Sequence, residues 1–411
     1  MHDASLNDAT AGAAALAARR GGAAALAAAL QASRADTLAT FAAYEASLPA
    51  LAVPLRAELN PPLWELGHIG WFQEYWLARF PAHTTGPRAD PEQPRLPPLR
   101  ANADALYHSS RVPHDSRWTL PLPDAQTTRA ELQAQLHGSL DLLAARPEGD
   151  VACYFFRLSL LHEDMHHEAA LYMAQSLGVP IADPRWQAAP LPVPGAALHF
   201  DAAVWRLGRK PGEGFAFDNE LAAHDVALGP TTIDAQAVRW AEFLPFVEDG
   251  AYADERHWSQ AGRHWRQQQR AGAPRYLRHR DGHWQQWRHG RWQALDLAEA
   301  ACHLSFFEAE AWCRWAGRRL PTEAEWERAA CTAGPAFRWG DVWEWTASAF
   351  APYPGFEAHP YRDYSAPWFD GRPVLRGASF MTQPRLRDAR YRNFFVPQRS
   401  DVPAGFRSCV L

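Results

Sequence analysis

Apolar residues recur at the three- and four-residue spacing of amphipathic helices in four long segments near the start of the chain. The segments span about 36–51, 63–80, 128–145 and 150–177, and Gly178 with Pro180 supplies a helix stop signal after the last one. A polar, proline-rich stretch over 81–123 separates the second segment from the third and is too long for a simple turn. Four helices with one long crossover predict a four-helix bundle.

The pattern changes after prolines at positions 184, 190, 192 and 194, which indicate a stiff linker. Beyond it the hydrophobic segments are short, and helical periodicity remains only over 237–248 and 306–315, followed by a helix over 322–330. Thr322, with Glu325 three residues later, forms a capping box at the start of that last helix. We therefore predict an α+β multidomain protein, with a helical bundle over 1–189 and a mixed α+β domain rich in irregular structure over 190–411.

The composition of the 411 residues, 47% hydrophobic and 21% charged, is typical of a globular protein with two or three domains. A net charge of -5 argues against a dedicated nucleic-acid-binding protein, which usually carries a basic surface. The sequence contains no apolar run of about 18 residues, so we expect no membrane-spanning helix. The five cysteines form no CxxC pair, and we expect a reducing, cytoplasmic location.

Two local patterns imitate other functions. Arg19-Arg20 precede an alanine-rich run over 21–32, as in a twin-arginine export signal, but the run lacks bulky apolar residues and we interpret it as an amphipathic helix. The segment 256–293 contains nine arginines and five tryptophans, a combination that can bind single-stranded nucleic acid. We favour a long insertion with a β-hairpin there, because Asp281-Gly282 fits a two-residue turn.

His162 and His166 lie four residues apart in the fourth helical segment, so one helix face presents both imidazoles to a metal ion. The segment matches the HExxH pattern of zinc proteases, but the expected third ligand is missing, since the next glutamate after Glu168 is Glu213, beyond the linker. Two surface histidines would be the simplest alternative. His68, among apolar and aromatic residues of the second helix, can face the pair inside a bundle. Three imidazoles leave open coordination positions, which suits a redox metal that binds a substrate and O2.

Long motifs after the linker resemble the formylglycine-generating-enzyme fold. They occur in the order found in that fold, at residues 217–220, 312–327, 341–346, 374–380, 391–395 and 405–407. That family works through a cysteine pair late in the domain, whereas residues 332–408 of this chain contain no cysteine. The resemblance therefore implies the fold and excludes the sulfatase-maturing activity.

A bundle resembling the DinB family, joined to this second fold, is similar to the ergothioneine-type sulfoxide synthases. The resemblance implies a non-haem Fe(2+), held by His68, His162 and His166, and a reaction that uses O2 to join a sulfur donor to the imidazole carbon of hercynine. It places the hercynine contacts on Asn393 and Phe394 with Met165, and the catalytic tyrosine on Tyr361 or Tyr364, with Tyr361 as first choice. We expect both domains to line the site, and His167 and Glu168 to support it or to face solvent rather than to bind metal.

One departure from this family concerns the second substrate. Phe395 stands where relatives that use γ-glutamylcysteine have an acidic residue, while Arg399 is retained. Residues 58–68 and 105–111 also resemble selenoneine synthases, which join a selenosugar to hercynine. We therefore favour a selenosugar donor. The alternatives are a sulfoxide synthase that uses cysteine or γ-glutamylcysteine, a DinB-like thiol transferase with zinc or nickel, and a binding module without a metal.

Overall fold

The N-terminal half of the computed structural model is helical, as the periodicity predicts. The structure describes residues 4–145 and 149–411, with side chains from Gly12 onward. The helices are α1 (Ala4–Arg20), α2 (Ala23–Ser47), α3 (Pro62–Trp76), α4 (Ala103–Tyr107), α5 (Ala125–Ala144) and α6 (Asp150–Leu177). Asp124 caps α5 by accepting from the Thr127 backbone N–H, and α6 ends at Gly178, whose φ of 76° is left-handed. The alanine-rich run forms the first part of α2 rather than a separate helix.

Helices α2, α3, α5 and α6 form the bundle, with α2 packed on α6 and α3 packed on α5. The core is strongly aromatic where α3 meets α6, and Trp76 stacks on Phe155 with ring centroids 5.3 Å apart. The proline-rich stretch between α3 and α5 is a packed loop that contains α4. Trp64 of α3 donates to the Leu106 carbonyl at 2.8 Å, which holds this loop against the helix that carries His68.

The C-terminal half is built from short strands in four small sheets joined by helices. The strands are β1 (Leu198–Phe200), β2 (Ala203–Leu207), β3 (His224–Leu228), β4 (Thr231–Ile233), β5 (Leu277–Arg280), β6 (His283–Arg288), β7 (Arg291–Ala294), β8 (Arg318–Arg319), β9 (Trp343–Ala349), β10 (Pro373–Gly377), β11 (Asn393–Phe394), β12 (Ala404–Gly405) and β13 (Cys409–Val410). The helices are α7 (Trp240–Glu248), α8 (Gln260–Gln269), α9 (Phe306–Trp315) and α10 (Glu323–Thr332).

Two four-stranded sheets organise this half, in the orders β1-β4-β13-β8 and β11-β10-β9-β12. In the second sheet β9 and β10 are antiparallel, β12 lies parallel to β9, and β11 pairs with β10 through Leu375 and Asn393. This pairing places Asn393 and Phe394 at the sheet edge.

Several local predictions are confirmed. The Thr322–Glu325 capping box is present at the start of α10, and α9 has its predicted bounds. Asp281 and Gly282 have φ values of 52° and 79°, as a two-residue turn between β5 and β6 requires. The Arg- and Trp-rich segment packs on the bundle: Trp287 Nε1 donates to the Gln175 carbonyl of α6 at 3.1 Å.

Buried ion pairs join the two halves. Arg19, the first residue of the twin-arginine motif, is 2% exposed and binds both carboxylate oxygens of Glu220 at 2.9 and 3.0 Å. Arg209 also binds Glu220, at 3.1 Å, and Asp388 contacts both arginines. Arg19 is thus part of the domain interface. None of the described helices is both long and apolar enough to cross a membrane.

Candidate metal centre and substrate cavity

Helices α3 and α6 bring the three predicted histidines together. The centroid of the His68 ring lies 5.2 Å from that of His162 and 4.8 Å from that of His166, and the pair on α6 is 4.4 Å apart. Taking one ligand nitrogen from each ring, all three nitrogens lie within 4.8 Å of one another. His68 and His162 are buried, while His166 is half-buried at the edge of a cavity.

Contacts on the outer side of two rings orient them for a metal. His68 Nδ1 lies 2.8 Å from the Tyr107 carbonyl, and His166 Nδ1 lies 2.5 Å from Glu65 Oε2. Because a carbonyl and a carboxylate only accept, both Nδ1 atoms carry the proton, and Nε2 of each ring remains a lone-pair donor. Phe72 stacks on His162 with ring centroids 3.5 Å apart, which fixes the third ring.

The protonation states also fit a metal site. Burial lowers the pKa of His68 to about 3, and it lowers the pKa of His162 well below its usual value. The Nδ1 atom of His162 is buried without a hydrogen-bond partner. His68 and His162 are thus held neutral, and three closely spaced imidazoles suit Fe(2+), for which imidazole is a common ligand.

Glu65 and Tyr107 are functional neighbours that sequence reasoning missed. Glu65 precedes His68 by three residues on α3, so helical spacing could have indicated that the two residues share a face. The Tyr107 carbonyl gives no signal in the sequence, since its contact with His68 depends on how the long loop folds back over α3.

The open side of the histidine cluster faces a cavity of about 260 Å³ between the two halves of the chain. Its lining includes His162, Met165, His166, Glu168, Ala169 and Tyr172 from α6, and Trp343, Tyr361, Tyr364, Tyr391, Asn393, Phe394, Phe395 and Pro403 from the C-terminal half. The structure thus brings the predicted substrate and tyrosine residues to the histidine cluster. Arg399 lies just outside this lining, with its guanidinium 5.1 Å from the Phe395 ring centroid.

The two candidate tyrosines differ in their surroundings. The Tyr361 ring lies 6.2 Å from the His162 ring and 4.9 Å from Phe72. The Tyr364 hydroxyl lies 2.9 Å from the Tyr391 hydroxyl and 3.7 Å from the Met165 sulfur. Burial raises the pKa of both candidate phenols, so each retains its proton at neutral pH. Tyr361 is the tyrosine beside the histidine cluster, whereas the Tyr364 hydroxyl is hydrogen-bonded to its neighbours Tyr391 and Met165.

Contacts from both halves hold the loop that carries these tyrosines. Ser365, at its end, donates to Asp218, and the Asn219 amide donates to Ser365 Oγ at 3.0 Å. On the bundle side, the Tyr154 hydroxyl lies 2.9 Å from His359 Nδ1. The motif at 217–220 therefore contributes to the site by fixing this loop.

Of the two positions expected for His167 and Glu168, exposure to solvent is excluded, because both side chains are buried. His167 is 1% exposed and lies 3.0 Å from Thr40 Oγ1. Glu168 Oε1 accepts from Trp343, Ser379 and Thr382 at 2.7, 2.7 and 2.8 Å. The reason is that α6 lies at the domain interface, so the C-terminal half covers the face that would be exposed in an isolated bundle.

Comparisons with known proteins match most of the chain. The sulfatase-modifying factor enzyme 1-like domain family matches residues 193–341. The hercynine oxygenase of Mycobacterium tuberculosis (strain H37Rv) is 32% identical, over 85% of this chain and 90% of that protein. The chain belongs to the hercynine oxygenase family. The hercynine oxygenase of Mycolicibacterium smegmatis is likewise 32% identical, with the same two shares. The formylglycine-generating enzyme of Streptomyces coelicolor is 36% identical over 39% of this chain and 54% of its own length.

Membership of the hercynine oxygenase family confirms the resemblance inferred from the motifs and the α+β multidomain fold. It also confirms an O2-using non-haem iron oxidoreductase with Fe(2+) as its cofactor. The residues that bind iron and substrates, and the domain boundary after residue 189, stay predictions. The sugar donor is likewise a prediction.

Proposed function

We propose that this chain joins a selenium atom of a selenosugar, or the sulfur of a thiosugar, to the imidazole carbon of hercynine in an O2-dependent reaction. The observation that carries the proposal is the single cavity in which His162 and His166 face Tyr361, Asn393 and Phe394 from the other half. Reacting groups must lie within hydrogen-bond reach of one substrate, and a shared cavity meets that requirement.

Fe(2+) held by His68, His162 and His166 would supply open coordination positions that accept O2 and a soft sulfur or selenium ligand. Glu65 and the Tyr107 carbonyl would keep two of the imidazoles oriented.

Hercynine carries a trimethylammonium group, which aromatic faces attract. Phe394 lies beside Tyr364, with ring centroids 6.0 Å apart, and Trp343 lines the same cavity. The Asn393 Oδ1 atom accepts from the Phe394 backbone N–H at 2.8 Å, which leaves the Asn393 amide N–H groups free to donate to substrate. Tyr361, protonated and next to the histidines, would act as the proton donor.

The first experiment tests the iron ligands. Replacing His68, His162 or His166 by Ala should abolish tight Fe(2+) binding and turnover, because two imidazoles cannot hold the ion at this site. Iron content is measured after anaerobic reconstitution, and circular dichroism checks that the bundle remains folded. His137→Ala, an exposed histidine on α5, is the matched control and should keep iron. Stoichiometric iron in the His68→Ala protein would refute the assignment.

The second experiment tests both substrates. We expect hercynine to be preferred over histidine by a factor on the order of 30, since losing a desolvated cation–π contact costs about 2 kcal/mol. With hercynine fixed, a selenosugar, a thiosugar, cysteine and γ-glutamylcysteine are offered together, and product formation gives relative kcat/KM. If cysteine or γ-glutamylcysteine has the highest value, the selenoneine assignment is wrong and an ergothioneine-type sulfoxide synthase takes its place.

A further inference from the structure

The cavity beside the histidines is almost devoid of charge. Among the described residues that line it, none is a lysine or an arginine. Its single carboxylate, Glu168, is hydrogen-bonded to three donors of the C-terminal half. Apart from the candidate ligands His162 and His166 and the Trp343 indole, which donates to Glu168, the remaining polar side chains are tyrosines and Asn393. Such a lining can hydrogen-bond hydroxyl groups, but it has no lysine or arginine to pair with the carboxylate of a donor that lacks a positive charge of its own.

Arg399 lies beside this lining, with its guanidinium over the Phe395 and Tyr172 rings at 5.1 and 5.7 Å. It is already paired. Its Nε and one terminal nitrogen donate to the two carboxylate oxygens of Asp401, both at 2.6 Å. The Asp401 side chain is 2% exposed, so water does little to weaken this bidentate pair.

We propose that the Arg399–Asp401 ion pair selects an uncharged donor, with Asp401 as the specificity-determining residue. The inference rests on the proposed function and adds two points to it: the charge of the donor, and the residue that discriminates between charged and neutral donors. Asp401 occupies the Nε edge, one of the two edges with which Arg399 can bind a carboxylate in bidentate fashion, and it neutralises the charge of the guanidinium.

A donor that carries a carboxylate can bind in two ways, and both are unfavourable. It can displace Asp401 and leave that carboxylate buried without its partner, or it can enter a cavity whose lining has no lysine or arginine and whose Fe(2+) would be taken by the donor's sulfur or selenium atom. A neutral polyol avoids both, because its hydroxyl groups need only hydrogen bonds from the phenols and the amide. Position 395 is a phenylalanine whose ring lies under the Arg399 guanidinium. An α-ammonium group therefore meets a cation there and finds no carboxylate.

The test uses two donors that differ only in charge, 1-thio-β-D-glucose and 1-thio-β-D-glucuronate, with hercynine as the other substrate. The wild-type enzyme should prefer thioglucose by at least about 10-fold in kcat/KM, equivalent to ~1.4 kcal/mol. Asp401→Asn should reduce that preference at least about 10-fold, because Arg399 then becomes available to the carboxylate. Adding Arg399→Met to the Asp401→Asn protein should restore the preference, since the released cation is removed.

Two measurements separate specificity from folding. Donor Kd values from calorimetry without O2, in the presence of hercynine, should change in the same ratio without turnover. Asp370→Asn is the matched control, because Asp370 also pairs with an arginine two residues away, Arg372, at a more exposed site. That variant should leave the donor preference unchanged.

The outcomes are distinguishable from failure of the proposed function. If γ-glutamylcysteine is the best wild-type donor, the sugar assignment fails together with this inference. If thioglucose is preferred to γ-glutamylcysteine but thioglucuronate is used equally well, the inference alone is overturned, even when Asp401→Asn does not fold. An unchanged donor ratio in folded Asp401→Asn enzyme overturns it as well.

Discussion

Replacing Glu65 by Gln should weaken Fe(2+) binding about 10-fold while leaving the bundle folded. The Glu65 side chain is 9% exposed and accepts from His166 through Oε2 at 2.5 Å and from the Asn60 amide through Oε1 at 2.6 Å. A hydrogen bond to a charged acceptor contributes about 1.5–3 kcal/mol, against about 0.5–1.5 kcal/mol for a neutral one. The difference, roughly 1–1.5 kcal/mol, corresponds to about a 10-fold change in Kd.

The number of acceptor oxygens in the glutamine side chain adds to this loss of Fe(2+) affinity. Glutamine has one carbonyl oxygen where Glu65 uses two, so it can satisfy either His166 or Asn60 but not both. Glu65→Ala removes both acceptors and should weaken iron binding roughly 100-fold, at the upper end for residues that orient metal ligands.

The assay is an anaerobic titration of Fe(2+) against a competing chelator. Glu74→Gln is the matched control, because Glu74 is a buried glutamate on the same helix that accepts from the Leu99 backbone and from Gln135. It should destabilise the fold without changing iron affinity beyond twofold. A folded Glu65→Gln protein with the wild-type Kd for Fe(2+) would refute the argument that Glu65 orients His166.

Three further predictions concern the tyrosine and the domain interface. Tyr361→Phe should lower kcat by on the order of 100-fold at unchanged iron content, because it removes a proton donor but no ligand; an unaffected kcat would favour Tyr364. Arg19→Met should lower the free energy of unfolding by about 3 kcal/mol, measured in urea, since Glu220 loses one buried partner. Burial disfavours the charged form of Asp388, but the guanidinium groups of Arg19 and Arg209 favour that form more strongly. The pKa of Asp388 therefore lies below its usual range. Stability should therefore fall as the pH drops below about 4, and less steeply in Asp388→Asn.

The sequence alone determined the features that depend on near neighbours in the chain. The bundle helices follow from apolar spacing, and the shared face of His162 and His166 follows from their separation by about one helical turn. The capping box at Thr322 and the hairpin turn at Asp281-Gly282 depend on a few adjacent residues. The motifs of the C-terminal half also identified its fold, although its short strands lack a clear period of their own.

Only the tertiary structure decided which distant groups meet. Glu65 reaches His166 across 101 positions, and Arg19 reaches Glu220 across 201. Glu168 is buried because the C-terminal half packs on α6, which the periodicity of that helix does not encode. Such contacts depend on how whole elements pack, because a side chain's charge and hydrogen-bonding capacity do not specify which partner the fold will place beside it.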